Sequence, residues 1–190
     1  TRFVGANCEW DFVEAPSQIM EHWVWKVECL KRISKHIESS EPLNEQLCEK
    51  LNESKNIGIS LLALRQVSFG LADQHMHGKN FNDDLLQIEQ TSQLVTNITY
   101  PKDTNHLGAV GHLLGGSDAA YYGYLWAEII GDDLFSRFEK EGVLSNSVGI
   151  DYKNKILKPG GTIPAENMVQ NFLGRKWNDE AFLFQKNLLN

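Results

Sequence analysis

Cysteine is scarce in this chain: Cys8, Cys29 and Cys48 are the only three among 190 residues. They are odd in number and widely spaced, with no Cys-x-x-Cys pair, which excludes both a disulfide framework and a zinc ribbon. Buried or half-buried free thiols in a reducing compartment are the expectation. Positive charge is also short, with 18 Lys and Arg against 25 Asp and Glu and no basic run. A net charge of −7 gives clustered phosphate neutralisation no footing, so nucleic acid is not an expected partner. No apolar run approaches the roughly 18 residues of a membrane helix, and no signal-peptide pattern is present. Sustained strand-type alternation, internal repeats, low-complexity segments and linker-like composition breaks are all missing. The phosphate loop, the dinucleotide fingerprint and the serine-nucleophile elbow are missing too.

What remains is helix after helix. A chain with 42% hydrophobic content can bury a single core or two tightly joined subdomains. Phe12, Val13, Ile19, Met20, Trp23, Val27, Leu30 and Ile33 keep a three-to-four spacing, which predicts one amphipathic helix with Asp11 as its N-cap. "SSEPLNEQL" predicts a second start, at Ser40 or Glu41 before Pro42. An apolar-periodic stretch from Ile57 to His77, closed by Gly78, predicts a long helix. Asn82 or Asp83 then opens another, which ends before Pro101. Ser117 or Asp118 starts a helix through Phe138, stopped by Gly142. "KPGGTIP" is a loop leading to two short final helices. The expected fold is all-α.

The histidines are His22, His36, His75, His77, His106 and His112. No two stand three or four apart, the spacing that would aim both imidazoles off one helix face at a metal. His75 and His77, at a helix end, read as solvent-facing residues favourable to the dipole.

Two stretches are richer. "GHLLGGSDAAYYGYLW" (Gly111 to Trp126) sets His112 and three tyrosines around Gly115 and Gly116. A helix from Ser117 would align Ser117, Tyr121 and Tyr124 on one face, with Tyr122 pointing elsewhere. Two phenols so placed are usually core padding, and their position beside mobile glycine backbone raises the alternative of donors to a developing oxyanion. "DFVEAPSQ" carries Glu14, which with Asp11 has the D-x-x-E form of a capping box.

"DFVEAPSQIMEHWVW" (Asp11 to Trp25) followed by "GHLLGGSDAAYYGYLWAE" (Gly111 to Glu128) resembles the C-terminal part of the zinc oligopeptidases related to thimet oligopeptidase and neurolysin. "FSRFEKEGVLSNSVGIDYKNKILKPGG" and "FLGRKWNDEAFL" continue the likeness over essentially the whole chain. The resemblance implies that residues 1–190 are the C-terminal helical part of a zincin-type catalytic domain that hydrolyses short peptides. In that family an HExxH helix supplies two zinc-binding histidines and a glutamate that activates water. A further glutamate completes the zinc ligands, and Glu14 matches it. His112, Tyr121 and Tyr124 match its substrate-binding and oxyanion-stabilising groups, with Gly115, Gly116 and Ser117 as the loop that closes over the peptide. Ser117 stands where the family usually has another tyrosine, so one substrate-contacting phenol is absent and altered specificity or turnover is expected. HExxH is absent as well. By the family's spacing it would lie just upstream of Thr1, so the chain is expected to need that N-terminal portion as a partner and to be inactive alone. Zinc in the whole enzyme would polarise the scissile carbonyl. The expected location is cytoplasmic, with a mitochondrial address left open. Two other readings stand beside this one. The first is a non-catalytic peptide-binding protein on the same scaffold, and the second is a helical scaffold without a ligand.

Overall fold

The apolar spacing does produce helices, and a computed structural model describes them over residues 6–79, 81, 84–101 and 103–188. They are α1 (Ala15–Gln18), α2 (Val27–Ile33), α3 (Glu45–Lys55), α4 (Ile59–His77), α5 (Leu85–Gln93), α6 (Gly123–Glu141), α7 (Asn146–Tyr152), α8 (Ala165–Leu173) and α9 (Glu180–Gln185). No strand occurs among the described residues, so the fold is all-α as expected.

Several boundaries differ from the sequence reading. The predicted single helix over Phe12 to Ile33 is three pieces. A 3₁₀ segment, Ile19–Trp25, follows α1, and Lys26, extended at φ −91° and ψ 126°, separates it from α2. Residues three apart eclipse in a 3₁₀ helix, and Ile19 and His22 are both buried that way. The N-cap position of α1 is Glu14 rather than Asp11. Asn44, not Ser40 or Glu41, caps α3, its Oδ1 accepting the Leu47 N–H at 2.8 Å. Ser40 has φ 59°, which no helix admits. The long helix begins at Ile59 instead of Ile57 and runs to His77 as expected. Asn82 and Asp83 lie outside the described residues; Asp84 caps α5 by accepting the Gln87 N–H at 3.0 Å. Gly142, at φ 111°, ends α6 where the sequence placed the stop. The two final short helices are α8 and α9.

The chain divides into two compact units, Thr1–Ile59 with Ala127–Asn190, and Ser60–Trp126. In the first, α6 buries Ala127, Ile130, Leu134, Phe135 and Phe138, which recur at helical spacing along one stripe. Against them pack Phe12 and Ile19, Val148, Tyr152 and Ile156 from α7 and the π-helical turn after it, and Met168, Val169 and Phe172 from α8. His22 stacks on Phe135 at 4.4 Å and sets Nε2 2.7 Å from Asp132 Oδ1. Trp23 meets Phe135 and Phe138 edge-on at 4.8 and 4.9 Å, and its Nε1 donates to the Val143 carbonyl at 2.9 Å. Asp133, fully buried, is held by the Arg175 fork and by the Asn178 N–H at 3.0 Å. A buried carboxylate is tolerable only with such partners.

The second unit is smaller. Its core is Phe69, Ala72, Ile88, Leu107, Leu113 and Tyr121, with Met76, Val110 and Tyr124 packed at the edge. Leu61, Leu62, Leu64 and Leu71 of α4 remain exposed.

Candidate functional site

The glycine-rich stretch is built from turns rather than from a helix start. Short 3₁₀ turns at Leu107–Ala109 and Gly111–Leu114 lead into Gly115, and the His112 carbonyl then accepts the Ser117 N–H at 3.2 Å. Both glycines are required. A Cβ at Gly115 would stand 2.6 Å from the Gly111 carbonyl oxygen, and Gly116 sits at φ 110°. Ser117 is buried, its carbonyl accepting the Ala120 N–H at 2.9 Å.

The helix predicted from Ser117 or Asp118 begins only at Gly123, because Ala119 adopts φ 59° and ends any helical run before it. Asp73 of α4 holds that conformation. Its fully buried carboxylate accepts the Ala119 N–H at 3.0 Å through Oδ1 and the Tyr121 N–H at 2.9 Å through Oδ2. Gln74 Nε2 donates to the Ala119 carbonyl at 2.9 Å. His77 Nδ1 lies 2.9 Å from both Asp73 Oδ1 and the Asp73 carbonyl, while His75 and His77 as whole residues remain exposed at the helix end, as expected.

Ser117, Tyr121 and Tyr124 therefore do not share a helix face. Tyr121 belongs to the turn and Tyr124 to the first turn of α6, yet the fold gathers both around His112. The His112 ring is 5.8 Å from Tyr124 and 6.3 Å from Tyr121, nearly perpendicular to each, and the two phenol rings are 5.2 Å apart. Tyr122 is turned outward, 45% exposed. Tyr121 serves as core padding and as site wall together: its ring meets Phe69 edge-on at 5.5 Å, and it also lines an open cleft. That cleft, about 520 Å³, is further lined by Arg65, Phe69, His106, His112 and Gly115. Burial pushes the Tyr121 phenol above its ordinary range, Tyr124 adds to this, and the Arg65 charge opposes it. The Tyr121 hydroxyl accordingly stays protonated at neutral pH, as a hydrogen-bond donor must.

Glu14, half-buried, lies in the first unit. Its own backbone is already in the α region, at φ −88° and ψ −9°, and as the N-cap residue of α1 it forms no side-chain cap bond. Its Oε2 instead accepts the Ser17 hydroxyl at 2.6 Å. Among the described residues no group of three His, Cys, Asp or Glu side chains could hold a metal ion. The donor set present does not fit a complete zinc centre, because one carboxylate is one ligand of the four a tetrahedral site takes. The residues that spacing did not single out are Asp73 and Arg65. The Asp73–His77 interval of four was the readable signal for the first, and Arg65 carried none.

A family model described as "Peptidase family M3" matches residues 1–188. The chain is 38% identical over 179 residues to "Oligopeptidase A" of Escherichia coli, covering 92% of this chain and 26% of that protein. It is 36% identical over 186 residues to "Thimet-like oligopeptidase" of Dictyostelium discoideum, covering 95% and 28%. To "Saccharolysin" of Saccharomyces cerevisiae it is 34% identical over 197 residues, covering 100% and 28%. The chain thus spans about a quarter of the length of these relatives. With nearly every residue inside the family match, this chain belongs to peptidase family M3.

Proposed function

We propose that the chain is part of a zinc-dependent oligopeptidase that hydrolyses short peptides, and that its second unit supplies groups on the substrate side. The observation that carries this reading is the gathering of His112, Tyr121 and Tyr124 beside a glycine turn, with His112 and Tyr121 lining an open cleft, in a chain of a peptidase family. Tyr124 and Tyr121 are assigned as donors to the oxyanion that forms when water adds to a peptide carbonyl, and His112 as a third polar contact. Gly115, Gly116 and Ser117 are assigned as backbone lying along the bound peptide, with the glycines as the hinge. Glu14 is assigned as the single zinc ligand this chain contributes; the histidine pair belongs to an HExxH segment that these residues do not contain. A reducing, cytoplasmic setting suits Cys8, Cys29 and Cys48, all free thiols.

Dialysis followed by metal analysis and a quenched fluorescent peptide tests this. The isolated chain should keep no zinc and cleave nothing. A polypeptide carrying the HExxH helix, added in trans with zinc, should restore cleavage that Glu14→Ala abolishes. One equivalent of zinc on the isolated chain with chelator-sensitive cleavage would overturn the incomplete site. Restored cleavage indifferent to Glu14→Ala would overturn the ligand assignment. Peptide binding without cleavage in the complemented mixture would favour a non-catalytic binding protein.

A further inference from the structure

Among the described residues, nothing lining the cleft of the second unit neutralises the positive charge of Arg65. None of the described residues lining it is acidic. Arg65, exposed on α4, has no carboxylate within salt-bridge distance among the described residues, whereas Arg137 and Arg175 pair with Asp151 and Asp133. The nearby acid of α5, Glu89, is buried and already accepts the His106 N–H and the Gln93 amide, each at 3.3 Å. This happens on a chain of net charge −7, where an unpaired arginine beside two imidazoles reverses the prevailing sign.

The guanidinium is also held in place. Its carbon lies 5.1 Å from the centre of the Phe69 ring. Phe69 stacks on His106 at 5.5 Å, and His106 meets Tyr100 at 4.2 Å. Arg65 thus sits at the end of an aromatic shelf, so little rotamer freedom remains to be lost when it binds an anion. A ring face accepts none of the five guanidinium N–H donors in the ordinary way, and a fork of such donors matches a carboxylate. A phosphate would fit the charge as well, but the cleft opens beside the phenols assigned above to a peptide.

We propose that Arg65 makes this cleft a carboxylate-reading subsite, anchoring either the C-terminal carboxylate or an acidic side chain of a bound peptide. The proposal rests on the peptide-binding reading of the cleft given above and adds to it the residue that sets charge preference.

Calorimetry on the 190-residue chain at low salt tests it with three peptides. They are acetyl-tetra-alanine as the free acid, the same peptide as its C-terminal amide, and an amide in which one alanine is replaced by glutamate. At least one carboxylate-bearing peptide should bind about tenfold or more tighter than the neutral amide, as a charge-assisted pair gives. Tightening of the free acid alone assigns the C-terminus, and tightening of the glutamate amide alone assigns a side chain. Arg65→Gln should erase the preference and Arg65→Lys should keep part of it, with circular dichroism confirming that both variants fold. Equal binding of all three peptides, or a preference that survives Arg65→Gln, would overturn the role of Arg65 while sparing the peptide-binding reading. Binding of none of them would overturn both.

Discussion

Replacing Asp73 by alanine should release the loop that carries Tyr121. The carboxylate is fully buried and accepts two backbone N–H groups, from Ala119 at 3.0 Å and Tyr121 at 2.9 Å. Hydrogen bonds to a charged acceptor contribute about 1.5–3 kcal/mol each, and donors left buried without a partner carry a desolvation cost. Ala119 holds a left-handed backbone costing roughly 1–2 kcal/mol, strain that the freed loop would shed against only the Gln74 bond to its carbonyl. The two bonds less the released strain leave a net loss of about 1–5 kcal/mol, against the roughly 5–15 kcal/mol that stabilises a domain. Urea denaturation would give the stability change, and amide hydrogen exchange would locate it. The Ala119 and Tyr121 amides should exchange much faster in Asp73→Ala, with Asp73→Asn intermediate because its amide retains one acceptor. A loss below about 1 kcal/mol, with both amides exchanging as in the wild type, would refute the latch, since the two bonds exceed the released strain by at least that.

Glu14→Ala should change the stability of the chain by no more than about 0.5 kcal/mol, since Glu14 forms no cap bond; a loss of about 1–2 kcal/mol in denaturant would mean that it caps after all. Tyr121, raised by burial, favours its neutral form in the folded state. Its contribution to stability should be complete below about pH 10 and decline as pH rises beyond it. Phenolate difference spectra of wild type against Tyr121→Phe should place the missing titration above that value, and a titration below it would contradict the burial argument. The exposed Leu61, Leu62, Leu64 and Leu71 of α4 should make the isolated chain self-associate with concentration, whereas a clean monomer by light scattering at every concentration would count against an uncovered apolar face.

Periodicity was enough to reveal the helices, because burial of one stripe is a local property of the sequence. Phe135 and Phe138 of α6, and α8 with α9 after Pro164, follow from spacing and punctuation alone. The starts were less legible where a distant group supplies the cap. Ser117 looks like an N-cap, but the groups that govern that stretch are the carboxylate of Asp73, 46 residues before Ala119, and the φ of Ala119 itself. The break at Lys26 has no proline or glycine to announce it; it accompanies the packing of His22 and Trp23 on Phe135. Within the site, the grouping of His112 with Tyr121 and Tyr124 follows the expected set, though through a folded turn rather than a shared helix face. Asp73 stayed hidden because a lone acid on an amphipathic helix reads as solvent-facing. Arg65 stayed hidden because its aromatic shelf is assembled from α4 and the segment around Tyr100 and His106.

The most direct test is the turnover of the complemented enzyme, this chain with an HExxH-bearing polypeptide and zinc, carrying Tyr124→Phe. Loss of one oxyanion donor should lower kcat for a short peptide about 10²–10³-fold, with KM and zinc content little changed. An unchanged kcat would contradict the assignment of these phenols to catalysis.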